Sequence, residues 1–84
     1  MSSLIKKTPG VMGGEACIRD TRVAVWQLAE LWTHDVYFTD VMGPDYFPFL
    51  TFDDLLAASE YWDNNQKEIA DAIRANNDQG HEAV

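Results

Sequence analysis

Leu50-Thr51-Phe52-Asp53-Asp54-Leu55-Leu56-Ala57-Ala58-Ser59-Glu60-Tyr61-Trp62 is the stretch that decides the fold. Thr51 is a favoured N-cap, because its hydroxyl can accept from an N–H that the first helical turn leaves free. Asp53 and Asp54 follow in that turn, where the helix dipole favours negative charge. Leu50 before the cap and Leu55 four positions into the helix fit a hydrophobic staple. Phe52, Leu55, Leu56, Ser59 and Trp62 mark the side expected to be buried, and the helix is predicted over residues 51–62.

Toward the N-terminus, Val25, Leu28, Ala29 and Trp32 recur at helical spacing, with Leu31 widening the stripe, and predict a helix over residues 24–34. Toward the C-terminus, Asp63-Asn64-Asn65 interrupts the pattern. Asn65 with Glu68 resembles a capping box, and Ile69, Ala72 and Ile73 give a helix over residues 65–76 one narrow apolar face. Between the first two helices, Thr39 suits the cap of a short helix through Asp40, Val41 and Met42. Gly43-Pro44 limits that helix, Pro44 also fits the start of a second turn reaching Phe47, and Pro48 ends whatever precedes it. Residues 77–84 lack periodicity and are expected to form a flexible tail.

The first 22 residues read as extended chain and turns. Pro9-Gly10 and the pair Gly13, Gly14 are turn signals between two short strands, near residues 5–8 and 16–18. A two-stranded ribbon is barely stable alone, so it must lie on the helices or on a second copy of the chain, and a homodimer is expected. The fold expected is therefore mainly α: a short N-terminal β-ribbon or arm (1–22) on a helical core (23–76) of three to four helices, one domain over residues 1–76.

Length and charge narrow the function. Eighty-four residues leave room for one small core. No stretch approaches the roughly 20 apolar residues of a membrane span, and residues 1–7 lack the apolar run of a signal peptide. Cys17 is the single cysteine, so neither an intrachain disulfide nor a thiolate zinc site is available. The plain reading is a cytoplasmic protein. Its net charge is −8, with +2 in residues 1–22 and −10 in residues 23–84. The acidic part repels nucleic acid and attracts a basic protein.

Cys17, His34 and His81 have no catalytic context, so Cys17 reads as a buried strand residue and His34 as a favourable helix end. Neither a cofactor nor a metal is expected, and the chain is not expected to be an enzyme. Gly13 and Gly14 suit a tight turn better than a phosphate nest. Asp53 and Asp54 suit a helix start better than a metal site or an acid–base pair. Lys6, Lys7, Arg19, Thr21 and Arg22 are the candidates for contact with nucleic acid or a second copy. Arg19 and Arg22 have a second reading, in which they bond carbonyls and carboxylates to hold the ribbon on the helices. Tyr37, Phe38, Tyr46, Phe47, Phe49, Phe52, Tyr61 and Trp62 are too many for so small a core, and the remainder should form an aromatic interaction patch.

The segment Pro9-Gly10-Val11-Met12-Gly13-Gly14-Glu15-Ala16-Cys17-Ile18-Arg19-Asp20-Thr21-Arg22-Val23-Ala24-Val25 resembles the signature of the domain of unknown function 433 family. Phe47-Pro48-Phe49-Leu50-Thr51, Ala57-Ala58-Ser59-Glu60-Tyr61 and Glu68-Ile69 match later features of that family, so the resemblance covers about residues 4–73. It implies a homeodomain-like helix-turn-helix bundle in the prokaryotic cytoplasm. It also implies an antitoxin similar to the VapB type, which neutralises a PIN-type nuclease toxin and represses its own operon. Glu15 stands where the family has Lys and Asp20 where it has Gly, which makes the segment less positive, and Ala16 and Ala24 stand where it has Pro, so weak or partner-dependent DNA binding is expected. The surface expected to dock the basic nuclease is residues 63–76. There Asp63, Glu68 and Asp71 supply charge, Ile69 and Ile73 are the apolar anchors, and Arg74 reaches for the nuclease's acidic metal site. Two other functions fit the same sequence: a DNA-binding dimeric regulator, and an accessory or scaffold protein that binds neither toxin nor DNA.

Overall fold

A computed structural model describes residues 4–10 and 14–82, with side chains as far as residue 76. Two strands, β1 (Ile5–Lys7) and β2 (Ala16–Ile18), are followed by helix α1 (Val25–Thr33), a 3-10 helix (Phe38–Met42), and helices α2 (Phe52–Asn64) and α3 (Gln66–Glu82). The architecture is mainly α, with an N-terminal antiparallel hairpin, as the sequence leads one to expect. No helix among the described residues is long and apolar enough to cross a membrane.

The ribbon pairs Ile5 with Ile18, Lys6 with Cys17 and Lys7 with Ala16. β2 is buried along its whole length, while β1 turns Lys6 and Lys7 outward. The chain then reverses tightly. Ile18 N–H donates to the Val23 carbonyl at 2.8 Å. The Thr21 hydroxyl donates to the Ile18 carbonyl at 2.6 Å and accepts from Val23 N–H at 3.1 Å. This reversal holds Arg19 in the left-handed region (φ 46°), which a side chain tolerates only when its surroundings hold it there. Support for the ribbon thus comes from its own chain: β2 and the reversal lie against α1 and α2, with Ile18 and Val23 in the core.

The core joins Ile18, Val25, Leu28, Val41, Leu50, Leu55, Ala58 and Ile69. α1 begins at Ala24, which has no capping side chain; Gln27 reaches back to accept from Ala24 N–H at 2.8 Å. It ends in a Schellman arrangement, with Val36 N–H donating to the Leu31 carbonyl and Asp35 N–H to that of Trp32. Asp35 (φ 71°) takes the position usually given to glycine. The 3-10 helix starts after Tyr37, so Thr39 lies inside it and is not its cap, and Pro44 opens only a turn.

α2 forms where expected. Thr51 caps it, Asp54 N–H donates to the Thr51 hydroxyl, and the Asp54 carboxylate accepts from Thr51 N–H at 2.9 Å. Its orientation differs. The buried side is Asp54, Leu55, Ala57 and Ala58, whereas Phe52 and Leu56 lie about half exposed. The helix is turned by roughly a third of a revolution from the expected face. Two alanines permit close packing on α1, and the bond from Asp54 to Arg19 fixes the rotation.

Asn65 alone links α2 to α3. The capping box expected there does not form, because Asn65 donates to the Tyr61 carbonyl and Glu68 accepts from the Tyr61 hydroxyl at 2.9 Å. α3 continues to Glu82 in place of ending near residue 76. No proline interrupts it, and Gly80 costs only about 1 kcal/mol in a helix already begun.

Candidate interaction surface

Lys6 bonds Asp20 at 3.0 Å, Lys7 bonds Glu68 at 3.1 Å, and Arg19 bonds Asp54 at 2.8 Å. On α3, Lys67 and Arg74 both bond Asp71. Of the chain's six lysines and arginines, only Arg22 has no ion pair among the described residues. The expected basic cluster of Lys6, Lys7, Arg19, Thr21 and Arg22 is therefore largely internal architecture. Thr21 winds the reversal. Lys7 ties β1 to α3, where the Glu68 carboxylate beside its ammonium raises the lysine pKa.

Arg19 is the central member. Its Nε and Nη2 grip the two Asp54 oxygens at 2.9 and 2.8 Å, and Nη2 also reaches the Phe49 carbonyl at 3.5 Å. Asp54 is only 1% exposed. The bonds from Arg19, with those from Thr51, outweigh burial and hold its carboxyl below the usual range. Of the two readings of Arg19, the one that ties ribbon to helix is the arrangement present. The match was foreseeable for Arg19, but nothing in the spacing named Asp54 as its partner, 35 residues away.

The residues proposed for partner docking do not form one face. Asp63, Asp71 and Arg74 are on the surface, but Glu68 is taken up by Tyr61 and Lys7. Ile69 is 2% exposed and belongs to the core, so it is corrected from anchor to core residue. Ile73 is half-buried against the same core. The narrow apolar stripe of α3 is spent on holding α3 to the rest of the domain. Gly14 sits at φ 82°, which suits the expected turn, and Gly13 lies outside the described residues, as does the side chain of His81. Cys17 is buried as expected, and burial raises its thiol pKa. Among the described residues no group of three His, Cys, Asp or Glu is arranged to hold a metal ion.

Of the eight aromatic residues expected to exceed the core, Tyr37, Tyr46, Phe49 and Phe52 are exposed, and Leu56 joins them. Tyr37 is 70% exposed, Phe49 55%, Phe52 49% and Leu56 47%. Beneath them runs a ladder of rings. Phe52 meets Phe38 edge-on at 5.9 Å, Phe38 stacks on Trp32 at 5.1 Å, and Trp32 stacks on Trp62 at 6.0 Å. The Trp32 indole is fixed by its N–H bond to the Phe38 carbonyl at 3.2 Å. Trp32, Asp35, Val36, Tyr37, Phe38, Ser59 and Trp62 line an open groove of about 420 Å³ between α1, the 3-10 helix and α2. Trp32 was legible only as a core residue, since its spacing does not reveal that it also lines the groove.

The Arg19–Asp54 ion pair, buried at its carboxylate end, clamps the ribbon to α2, and the aromatic groove lies on the opposite side of that helix. The chain belongs to the DUF433 family. Residues 5–62 match the family model described as "Protein of unknown function (DUF433)". The fold is similar to that of a DUF433 member protein from Anabaena variabilis ATCC 29413, solved as a crystal structure. The TM-score is 0.80 and the identity 36%, over 87% of this chain and 70% of that one. No curated protein matches the chain. The family model ends at residue 62, before α3, whereas the likeness to the Anabaena structure covers more of the chain and extends into α3.

Proposed function

We propose that this chain is a non-catalytic, antitoxin-like module that binds a basic protein partner, and that the partner is a nuclease of the PIN type. One observation carries the reading. Five of the six cationic side chains are neutralised within the chain. Meanwhile Glu30, Asp35, Asp40, Asp45, Asp53, Glu60 and Asp63 have no ion pair among the described residues. Such a surface suits the basic groove that a ribonuclease needs to attract RNA. Arg74 remains available, because its pair with Asp71 is exposed and weak. In this reading Arg74 exchanges Asp71 for carboxylates of a nuclease metal site.

The alternative, a regulator reading DNA by itself, loses support from the same pairing. The bond from Arg19 to the buried Asp54 must break before that cation can serve a phosphate, whereas the exposed Lys6 and Lys7 pairs open more readily. Autoregulation then requires the partner's own basic surface. For a homodimer, the outer edge of β1 offers a strand edge, since among the described residues β1 pairs only with β2. The test is co-expression with a PIN-type nuclease encoded beside it. Co-purification in a stable complex and relief of growth arrest are expected; free protein and undiminished toxicity would refute the reading.

A further inference from the structure

We propose that the groove between α1, the 3-10 helix and α2 is the docking site for a basic amphipathic helix of a protein partner. This rests on the partner-binding reading above and assigns the surface that reading requires. Along α2, Phe52, Leu56 and Ser59 recur at helical spacing and form an outward stripe that ends at Asp63. Phe52 and Leu56 are half exposed, although both are apolar and lie on a regular helix. The ring ladder from Phe52 to Trp62 gives the groove a stiff wall, and Tyr37 stands at its edge.

Charge selects the occupant. Asp35 lines the groove, Asp53 and Glu60 flank the stripe, and Asp63 closes it. None of these four carboxylates has an ion pair among the described residues. No lysine or arginine lines the groove or lies on α2. A second copy seated there would oppose carboxylate with carboxylate. A helix bearing Lys or Arg on its flanks meets all four, while two apolar residues one turn apart enter between Tyr37, Trp62 and Leu56. The stripe from Phe52 to Asp63 is about 18 Å long, three turns of such a helix.

The probe is a synthetic 14-residue helix of leucine and lysine, roughly four turns long, with a leucine–glutamate peptide of the same pattern as control. Binding is followed by the indole N–H resonances of the full chain. The Leu/Lys peptide is expected to shift the Trp32 and Trp62 signals and leave Trp26, on the far side of α1 beside Glu15, unmoved. Phe52→Ala with Leu56→Ala, both exposed positions, should weaken it by roughly tenfold or more, with the helical circular dichroism unchanged. Equal binding of the Leu/Glu peptide, shifts confined to Trp26, or no binding at all overturns the proposal. So does a dimer in sedimentation that Leu56→Lys dissociates. If a PIN-type nuclease binds the double variant at full affinity, the partner reading stands and this surface falls; if the peptide binds but the nuclease does not, the reverse holds.

Discussion

Arg19 shows how much one residue settles. It sits in a left-handed conformation at the end of β2 and reaches across to a carboxylate at the start of α2, so one side chain fixes a turn, a helix rotation and a helix cap. Asp54 is the buried half of that pair, and its lowered pKa makes a statement about stability. A depressed carboxyl contributes stability that is fully present above its unfolded value, near 4, and is lost as pH falls through the folded value. Replacing Asp54 by Asn should cost roughly 1–3 kcal/mol at neutral pH, because Arg19 keeps its charge and loses its acceptor. The cost should shrink as pH falls through the lowered Asp54 pKa, where Asp54 itself takes up a proton. Urea unfolding over a descending pH series checks this, and a loss that stays equal at every pH would disprove the linkage. Thr51 and the acidic first turn announced a helix start, whereas a contact between residues 19 and 54 has no local signature at all.

Helices announce themselves by period, but their roles depend on neighbours. α1 and α2 stand within about two residues of their predicted bounds, because caps and apolar spacing are local properties. The buried side of α2 was misjudged because large apolar residues outweighed alanines in the pattern, while close packing favours the alanines. α3 was assigned an outward apolar stripe, and the structure turns Ile69 inward. Ile69→Ala should therefore cost about 2–4 kcal/mol in chemical denaturation, as a core deletion does; a loss near zero would return Ile69 to the surface. The end of α1 offers the opposite change. Asp35 occupies a glycine position in the Schellman arrangement, so Asp35→Gly should stabilise the fold by about 0.5 kcal/mol and raise Tm by about 2–4 °C in calorimetry.

At the scale of the whole molecule, the charge imbalance was legible from composition, but its distribution over internal bonds was not. Counting basic residues in the first segment suggested a cationic arm; pairing leaves Arg22 alone. If the chain binds promoter DNA by itself, the slope of log affinity against log salt should have a magnitude of about 2 or less. A steep slope would mean that the ribbon's ion pairs open to meet phosphates. The aromatic ladder and the carboxylates without an ion pair among the described residues support the proposed protein-binding surface, and a nuclease is the partner proposed. The most direct measurement is the rate of RNA cleavage by a PIN-type nuclease encoded beside this protein, as the protein is titrated in. Cleavage should fall linearly to the background at a stoichiometric ratio, and full activity at a large excess of the protein would contradict the account.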